Sequence, residues 1–353
     1  MPNQQIQSLC DSVKHAYEDK QALNIQGGNS KAFYANHIDA PVISTTNLNG
    51  IIEYQPSELY ITAYAGTPLQ TIEDTLAEHK QMFSFEPPYY SPSTTLGGTI
   101  ACGLSGPRRP YADAIRDCIL GTNIINGKGE HLSFGGKVMK NVAGYDVSRL
   151  MCGAFGTLGI ITQASIKVLP KPECEITLLF EYRQQQATKH IQQWLNALIP
   201  ITATYFENKQ LWIRISGLEN IVNTIHKQLG GEKIHSSKTF WQAIKNHQTD
   251  FFQTDIPLWR CIVPHNANEI MLHGESCFEW NGGLRWIKSE ESAEKVFNTC
   301  QALNGYASLF RSAEKPVDCF APMNNHLKKL HMNLKHAFDP GNVLNPGRMY
   351  SWC

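Results

Sequence analysis

Glycine crowds the first half of this chain, at Gly27-Gly28, Gly97-Gly98, Gly103, Gly106, Gly135-Gly136, Gly144, Gly153, Gly156 and Gly159. Glycine lets a backbone reach positive φ and approach a ligand closely. Successive amide N–H groups exposed at such turns form anion-binding hollows that need no lysine. One Gly-Gly pair is more often an ordinary tight turn. The whole set, spread through a β-rich region among small residues, fits a diphosphate-like ligand held mainly by backbone.

The dinucleotide fingerprint of a doubly wound fold is missing where it should sit. After the first strand the chain reads Gln26-Gly27-Gly28-Asn29-Ser30-Lys31, with no G-x-G-x-x-G opening a helix. A nicotinamide-dependent Rossmann dehydrogenase is therefore disfavoured. Lys plus Arg and Asp plus Glu both number 31, and this balance argues against nucleic acid as a partner. A charged fraction of 18% suits a protein that hides part of its surface in a complex. No apolar run approaches the roughly 18 residues of a membrane span, and the polar start shows no signal peptide. The ten cysteines lack any CxxC-like clip, so neither zinc nor a cysteine-held iron–sulfur cluster is expected, and reduced thiols in a cytoplasmic protein are.

At 353 residues about two domains are expected. Apolar spacing predicts a helix over 5–19, with strands at Ala22–Gln26, Val42–Ser44, Ile51–Gln55 and Tyr60–Ala65. Thr67-Pro68-Leu69-Gln70 reads as a capped helix start, with Thr67 capping and Gln70 completing a capping box. Further strands are expected over Cys118–Asn126, up to Phe134, and from Ile160 to Val168, the last half-buried. Pro170 and Pro172 mark the main boundary. Beyond it a β-α-β-β-α order (Ile176–Tyr182, Gln185–Leu198, Ile201–Phe206, Leu211–Ser216, Ile221–Leu229) is the ferredoxin-like sequence of elements. Strands at Trp259–Val263, Ile270–His273 and Leu284–Ile287 follow, then helices over Ala293–Leu303 and Asn324–Phe338. No internal repeat is evident.

The stretches IQGGNSK, AGTPL, TTLGGTIACGLSGPRRP, the run from Gly121 to Pro172 and the terminal FDPGNVLNPGRMY resemble the vanillyl-alcohol oxidase / p-cresol methylhydroxylase (PCMH) flavoprotein superfamily. GGKVMKNVAGYDVSRL and GGLRWIKS are similar, more narrowly, to the FAD-binding E subunits of bacterial glycolate oxidase (glycolate dehydrogenase) complexes. The resemblance implies an α+β fold. It comprises a two-subdomain PCMH-type FAD-binding domain (1–172), a ferredoxin-like α+β cap (173–322) and a C-terminal helix and tail (323–353) returning to the flavin. It implies FAD contacts from Gln26, Gly27, Gly28, Asn29, Ser30 and Lys31 around the diphosphate, and from Thr95, Gly97, Gly98, Gly103 and Ser105 beside it. Lys140, Asn141, Gly144, Tyr145 and Asp146 match the approach to a second contacting loop. Gly156, Thr157, Leu158, Gly159 and Ile161 match the strand start under the ribityl chain, and Asn345 and Arg348 the C-terminal return.

Some relatives attach flavin through a histidine in the first loop. Here Asn29 and no histidine stands there, so non-covalent FAD is expected. The HxGDGNxH-like metal and substrate motif of the 2-hydroxyacid branch is reduced to His273-Gly274-Glu275, so no metal site is expected. Catalytic candidates are His273 for a proton, and Arg285 or Arg311 for a carboxylate. Arg108-Arg109 reads equally as an adenine-side loop, a partner contact or solvated charge. Trp280 and Trp286 read as packing rather than flavin stacking.

The resemblance implies an FAD-binding subunit of a multi-subunit glycolate (2-hydroxyacid) oxidase or dehydrogenase. Its partners would be a sister FAD-containing catalytic subunit and an iron–sulfur subunit, and its location the cytoplasm, at the inner membrane face through the complex. A self-sufficient 2-hydroxyacid dehydrogenase and a flavin-binding assembly subunit are the alternatives.

Overall fold

The computed structural model describes residues 2–136, 145–315 and 318–353. The chain divides into two compact units, with elements numbered below in chain order. The first contains the residues up to Leu104, Ala114–Pro170 and the C-terminal segment; the second contains Ser105–Asp113 and the chain from Lys171. The break thus falls at 170/171, and the segment 105–113, expected in the first domain, belongs to the second unit.

In the first unit, helix α1 (Pro2–Glu18) buries Leu9, Cys10, Val13 and Ala16, the three- and four-residue spacing of one helix face. That face packs on Leu23, Ile43, Leu48, Ile125, Ile160, Val343 and Leu344. Strands β1 (Asn24–Gln26) and β2 (Val42–Ser44) pair in parallel. A five-stranded antiparallel sheet has β3 (Ile51–Gln55), β4 (Tyr60–Tyr64), β8 (Ile160–Lys167), β6 (Ile119–Ile125) and β7 (His131–Gly135) in that order. Because β8 is central, Thr162 and Ser165 are buried along with Ile160 and Ile166, which corrects the half-buried expectation.

Helix α2 (Leu69–Glu78) inserts Leu69, Ile72 and Leu76 into the main core. Its start differs from expectation. Thr67 does not cap it; Thr67 Oγ1 bonds both the amide and the carbonyl of Gly50, while Gln70 turns to Asp74. Short strands β5 (Gln81–Met82) and β9 (Leu169–Pro170) pair below it. Helix α3 (Leu96–Cys102) is capped by Thr95, whose hydroxyl accepts from the Gly98 amide, and ends at Gly103 with φ +64°. Helices α4 (Ile115–Cys118) and α5 (Val147–Leu150) are single turns.

In the second unit, β10 (Cys174–Glu181), α6 (Gln184–Asn196), β11 (Ile201–Glu207), β12 (Gln210–Gly217), α7 (Glu219–Leu229) and β13 (Glu232–Ile234) take the lateral order β13-β10-β12-β11. This is the split β-α-β arrangement read from the sequence. Helix α8 (Ser237–Lys245) then leads to β14 (Leu258–Ile262), β15 (Glu275–Glu279), β16 (Leu284–Lys288), α9 (Ala293–Ala302) and β17 (Tyr306–Arg311). These continue the sheet as β15-β16-β14-β17. Counted from its own first strand, the second set has the same order as the first, and β11 and β15 join the halves. A structural repeat is therefore present that the sequence does not display. It lacks the first crossover helix, because residues 263–274 are irregular. The strand expected at Ile270–His273 lies there; the real strand begins at Glu275. The last helix, α10 (Asn325–Phe338), is capped by Asn324 and belongs to the first unit.

Candidate cofactor cleft

Strand β1 ends at Gln26 and delivers the loop 27–31 against the segment 93–98. A Cβ on Gly27 would stand 2.6 Å from Thr95 Oγ1, and one on Gly28 only 1.5 Å from the Ser93 carbonyl oxygen. Ser93 Oγ donates to the Gly28 carbonyl at 2.6 Å, and Thr94 Oγ1 to Ser30 Oγ at 2.9 Å. The positive φ in this loop belongs to Asn29, at 55°. Glycine is thus required at 28 by close approach of the Ser93 backbone and favoured at 27 by the Thr95 side chain, not by the dihedral angle expected for such turns.

The loop leaves its donors unspent. Among the described residues, the backbone amides of Gly27, Gly28, Asn29, Ser30 and Lys31 meet no protein acceptor. The start of α3 has none to offer, since the Gly97 amide donates to Ala65 O at 2.7 Å and the Gly98 amide to Thr95 Oγ1 at 3.2 Å. A run of such amides is what an anion-binding hollow requires.

Two cations line the same cleft. Lys31 is 5% exposed, and among the described residues no carboxylate pairs with it; its ammonium lies 5.9 Å from the Tyr90 ring centroid. Burial pulls its pKa below the usual lysine value, opposed by the neighbouring Cys102. Arg348 is fixed by donating to Asn36 O and, at 2.8 Å, to Tyr34 O. Burial likewise lowers its pKa. Burial pushes the Cys102 thiol up, with Lys31 and Arg348 pulling the other way. The expectation of backbone donors without lysine therefore needs this addition.

The C-terminal return forms another wall. Asn345, in the left-handed region at φ 44°, accepts from the Ile25 amide at 2.7 Å and donates to Phe155 O at 2.6 Å. Leu23 and Leu344 form a parallel bridge beside it. Gly156 has φ +74°, and a Cβ there would stand 2.8 Å from Asn345 Nδ2.

The resulting cleft has a cavity volume of about 200 Å³. Of the residues singled out in the sequence, it gathers Gln26, Gly27, Gly28, Asn29, Ser30, Lys31, Thr95, Gly97, Gly98, Gly156, Gly159, Ile161, Asn345 and Arg348. Others stand elsewhere. Gly103 packs on the Gly153 backbone, and Ser105 belongs to the second unit. The Thr157 hydroxyl is spent on Ala154 O, and Leu158 lies in the main core. Tyr145 is 92% exposed, and Asp146 caps α5 and pairs with Arg149. Lys140, Asn141 and Gly144 lie outside the described residues. Sequence reasoning missed Cys102, Ala101, Thr45, Phe155 and His37. Cys102 was findable, one helical turn beyond Gly98; His37 carries no local signal.

The catalytic candidates lie in the second unit and none lines the cleft. His273 is exposed, with its carbonyl accepting from Ser289 Oγ. Arg285 is buried and spends its guanidinium on the carbonyls of Gly282, Ala267 and Asn268, so it is a loop clamp rather than a carboxylate binder. Arg311 donates to Phe252 O at 3.0 Å from β17. Arg108 pairs with Glu175 at 2.8 Å, and Arg109 lies over Trp280, whose indole N–H donates to Gly106 O. Those contacts hold 105–113 in the second unit. Trp286 is core, bonded to Glu279 and packed on Phe252 and Phe310.

Residues 4–135 match the family model described as an FAD binding domain. Over 345 residues, covering 98% of this chain and 97% of the relative, the chain is 43% identical to the glycolate oxidase subunit GlcE of Escherichia coli (strain K12). The chain belongs to the GlcE family of glycolate oxidase subunits. Its cofactor is FAD, and the family places it among FAD-dependent oxidoreductases. It is also 33% identical over 175 residues to the glycolate oxidase subunit GlcD of Bacillus subtilis (strain 168), covering 49% of this chain and 37% of that one. Alkyldihydroxyacetonephosphate synthase shares the fold at a TM-score of 0.66 and 14% identity, over 96% of this chain and 75% of its own. Among the described residues, no helix is long and apolar enough to cross a membrane.

Proposed function

We propose that this chain holds FAD non-covalently in the cleft between the 27–31 loop and the C-terminal return, as one subunit of a glycolate oxidase that works with a GlcD-type flavoprotein and an iron–sulfur subunit. The observation that carries the reading is the unspent donor set: the amides of 27–31, with buried Lys31 uncompensated beside them. A diphosphate would satisfy these amides, and its charge would offset the desolvation of Lys31. Gly27, Gly28 and Gly97 let these segments pack closely on Thr95, Ser93 and Ala65, and Asn345 and Gly156 fix the opposite wall.

Bound there, FAD supplies acceptance of a hydride from the hydroxyl-bearing carbon of a 2-hydroxyacid or relay of electrons already taken from one. Among the described residues lining the cleft, nothing supplies the bidentate carboxylate clamp expected of a substrate site, since Arg348 is committed to Tyr34 and Asn36, and Arg285, elsewhere, to carbonyls. We therefore assign glycolate oxidation to the complex and cofactor binding to this chain, in the cytoplasm.

The chain purified alone should carry FAD that is released on denaturation and is not bleached by glycolate under anaerobic conditions. The assembled oxidase should bleach. Bleaching by the isolated chain would overturn the division of labour, and failure to retain FAD would overturn the cleft assignment.

A further inference from the structure

Helix α10 carries more apolar surface than its own unit covers. Leu327, Leu330, Leu334 and Phe338 recur at three- and four-residue steps and so share one face. Leu334 and Phe338 pack against the main core of the first unit. Leu327 and Leu330, farther up the same stripe, remain 45% and 46% exposed. Along the helix itself the charge has one sign. Between Asp318 and Asp339 there is no carboxylate residue, while three lysines and three histidines fall in that interval. Lys335 is consumed internally; Lys328 lies 4.9 Å from the Trp352 ring centroid, and Lys329 is exposed.

We propose that the N-terminal half of α10 is a docking surface for another protein subunit of the oxidase, one presenting an apolar groove rimmed by carboxylates. The sign of the charge selects the rim, and the Leu327–Leu330 spacing selects a groove that receives two helix anchors. A membrane surface fits less well. Interfacial helices immerse an apolar face along their length, whereas here half the stripe is already committed to the core. A second copy pairing through the same helix would oppose lysine to lysine.

The inference rests on the reading of this chain as one subunit of a larger enzyme, and the test separates the two. The full-length chain is co-expressed with the remaining subunits of the same oxidase, and captured subunits are identified by mass spectrometry. Wild type should capture at least one. Leu327→Ser/Leu330→Ser and Lys328→Glu/Lys329→Glu should each reduce capture at least about tenfold, the size expected of interface anchors, while FAD content and melting temperature stay at wild-type values. Undiminished capture by both variants overturns the surface alone, and no capture by wild type overturns the subunit reading with it. Binding of the isolated chain to phosphatidylglycerol vesicles, or its self-association in light scattering, overturns the proposal if the same substitutions abolish it.

Discussion

The ammonium of Lys335 lies 2.8 Å from the carboxylate of Asp339, with both residues almost wholly buried. Its other two hydrogens go to Leu344 O at 2.7 Å and Thr157 O at 2.9 Å, so all three donors are used. Asp339 in turn accepts from the amides of Val343 and Leu344. One ion pair thereby ties α10, the 157 loop and the chain end that forms a wall of the cleft.

Breaking a buried pair from one side strands a charge. Lys335→Met should cost about 3–5 kcal/mol of stability, read as a fall in the urea midpoint at unchanged slope. Adding Asp339→Asn should recover part of the loss, because the neutral amide no longer needs a cation while its oxygen can still accept an N–H. No recovery in the double variant would mean that the amide-accepting role of Asp339 dominates.

Lys31 should give FAD affinity a pH dependence. Its folded pKa is lowered by burial, so between that value and the unfolded one the folded apoprotein binds fewer protons than the unfolded chain, and stability rises with pH. A diphosphate beside the amine favours the charged form, so binding takes up a proton in this same window. FAD affinity should fall as pH rises through it. Lys31→Met should weaken FAD by about 2–5 kcal/mol at neutral pH, as truncating a buried charge pair does, and should flatten the alkaline slope. Fluorescence titration of both proteins across the alkaline range measures both effects.

The glycines should divide by the space around them. Gly28→Ala drives a Cβ to 1.5 Å from the Ser93 carbonyl oxygen, so the loop must move and the purified protein should carry no FAD. Gly98→Ala meets only Thr95 Oγ1, at 3.2 Å, and should retain most of it. The flavin-to-protein absorbance ratio distinguishes them; equal loss in both would sink the steric account.

What could be read from the sequence was local. The faces of α1 and α2, the β10–α7 order and the glycine loop all rest on spacing within one segment, and spacing is visible in a string of letters. The failures needed distant partners. Nothing near Arg108 announces Glu175, 67 residues away, yet that pair helps draw 105–113 into the second unit. Arg285 looked like a free guanidinium because backbone carbonyls have no sequence signature. Lys31 read as the end of a glycine turn, since its burial depends on how the loop packs. The repeated strand order in the second unit is carried by topology, with irregular residues 263–274 in place of the helix that would have marked it.

Asn345 is the residue whose loss should separate cleft geometry from cleft chemistry. It carries no charge and spends its side chain on Ile25 N and Phe155 O, joining β1 to the 155–156 turn. Its φ of 44° suits asparagine better than a branched residue. Asn345→Ala orphans a half-buried amide and a buried carbonyl, at about 1–3 kcal/mol each if neither finds water. Stability should fall by that order, and FAD affinity should fall with it because both walls lose their brace. Asn345→Asp keeps the acceptor for Ile25 but sets an anion against the Phe155 carbonyl and into the cleft proposed to hold the anionic cofactor. It should therefore lose more FAD affinity than the alanine variant. Affinities in the order wild type, alanine, aspartate would place Asn345 as a brace in an anion-binding cleft; aspartate binding FAD as tightly as wild type would mean that Asn345 does not border the cofactor.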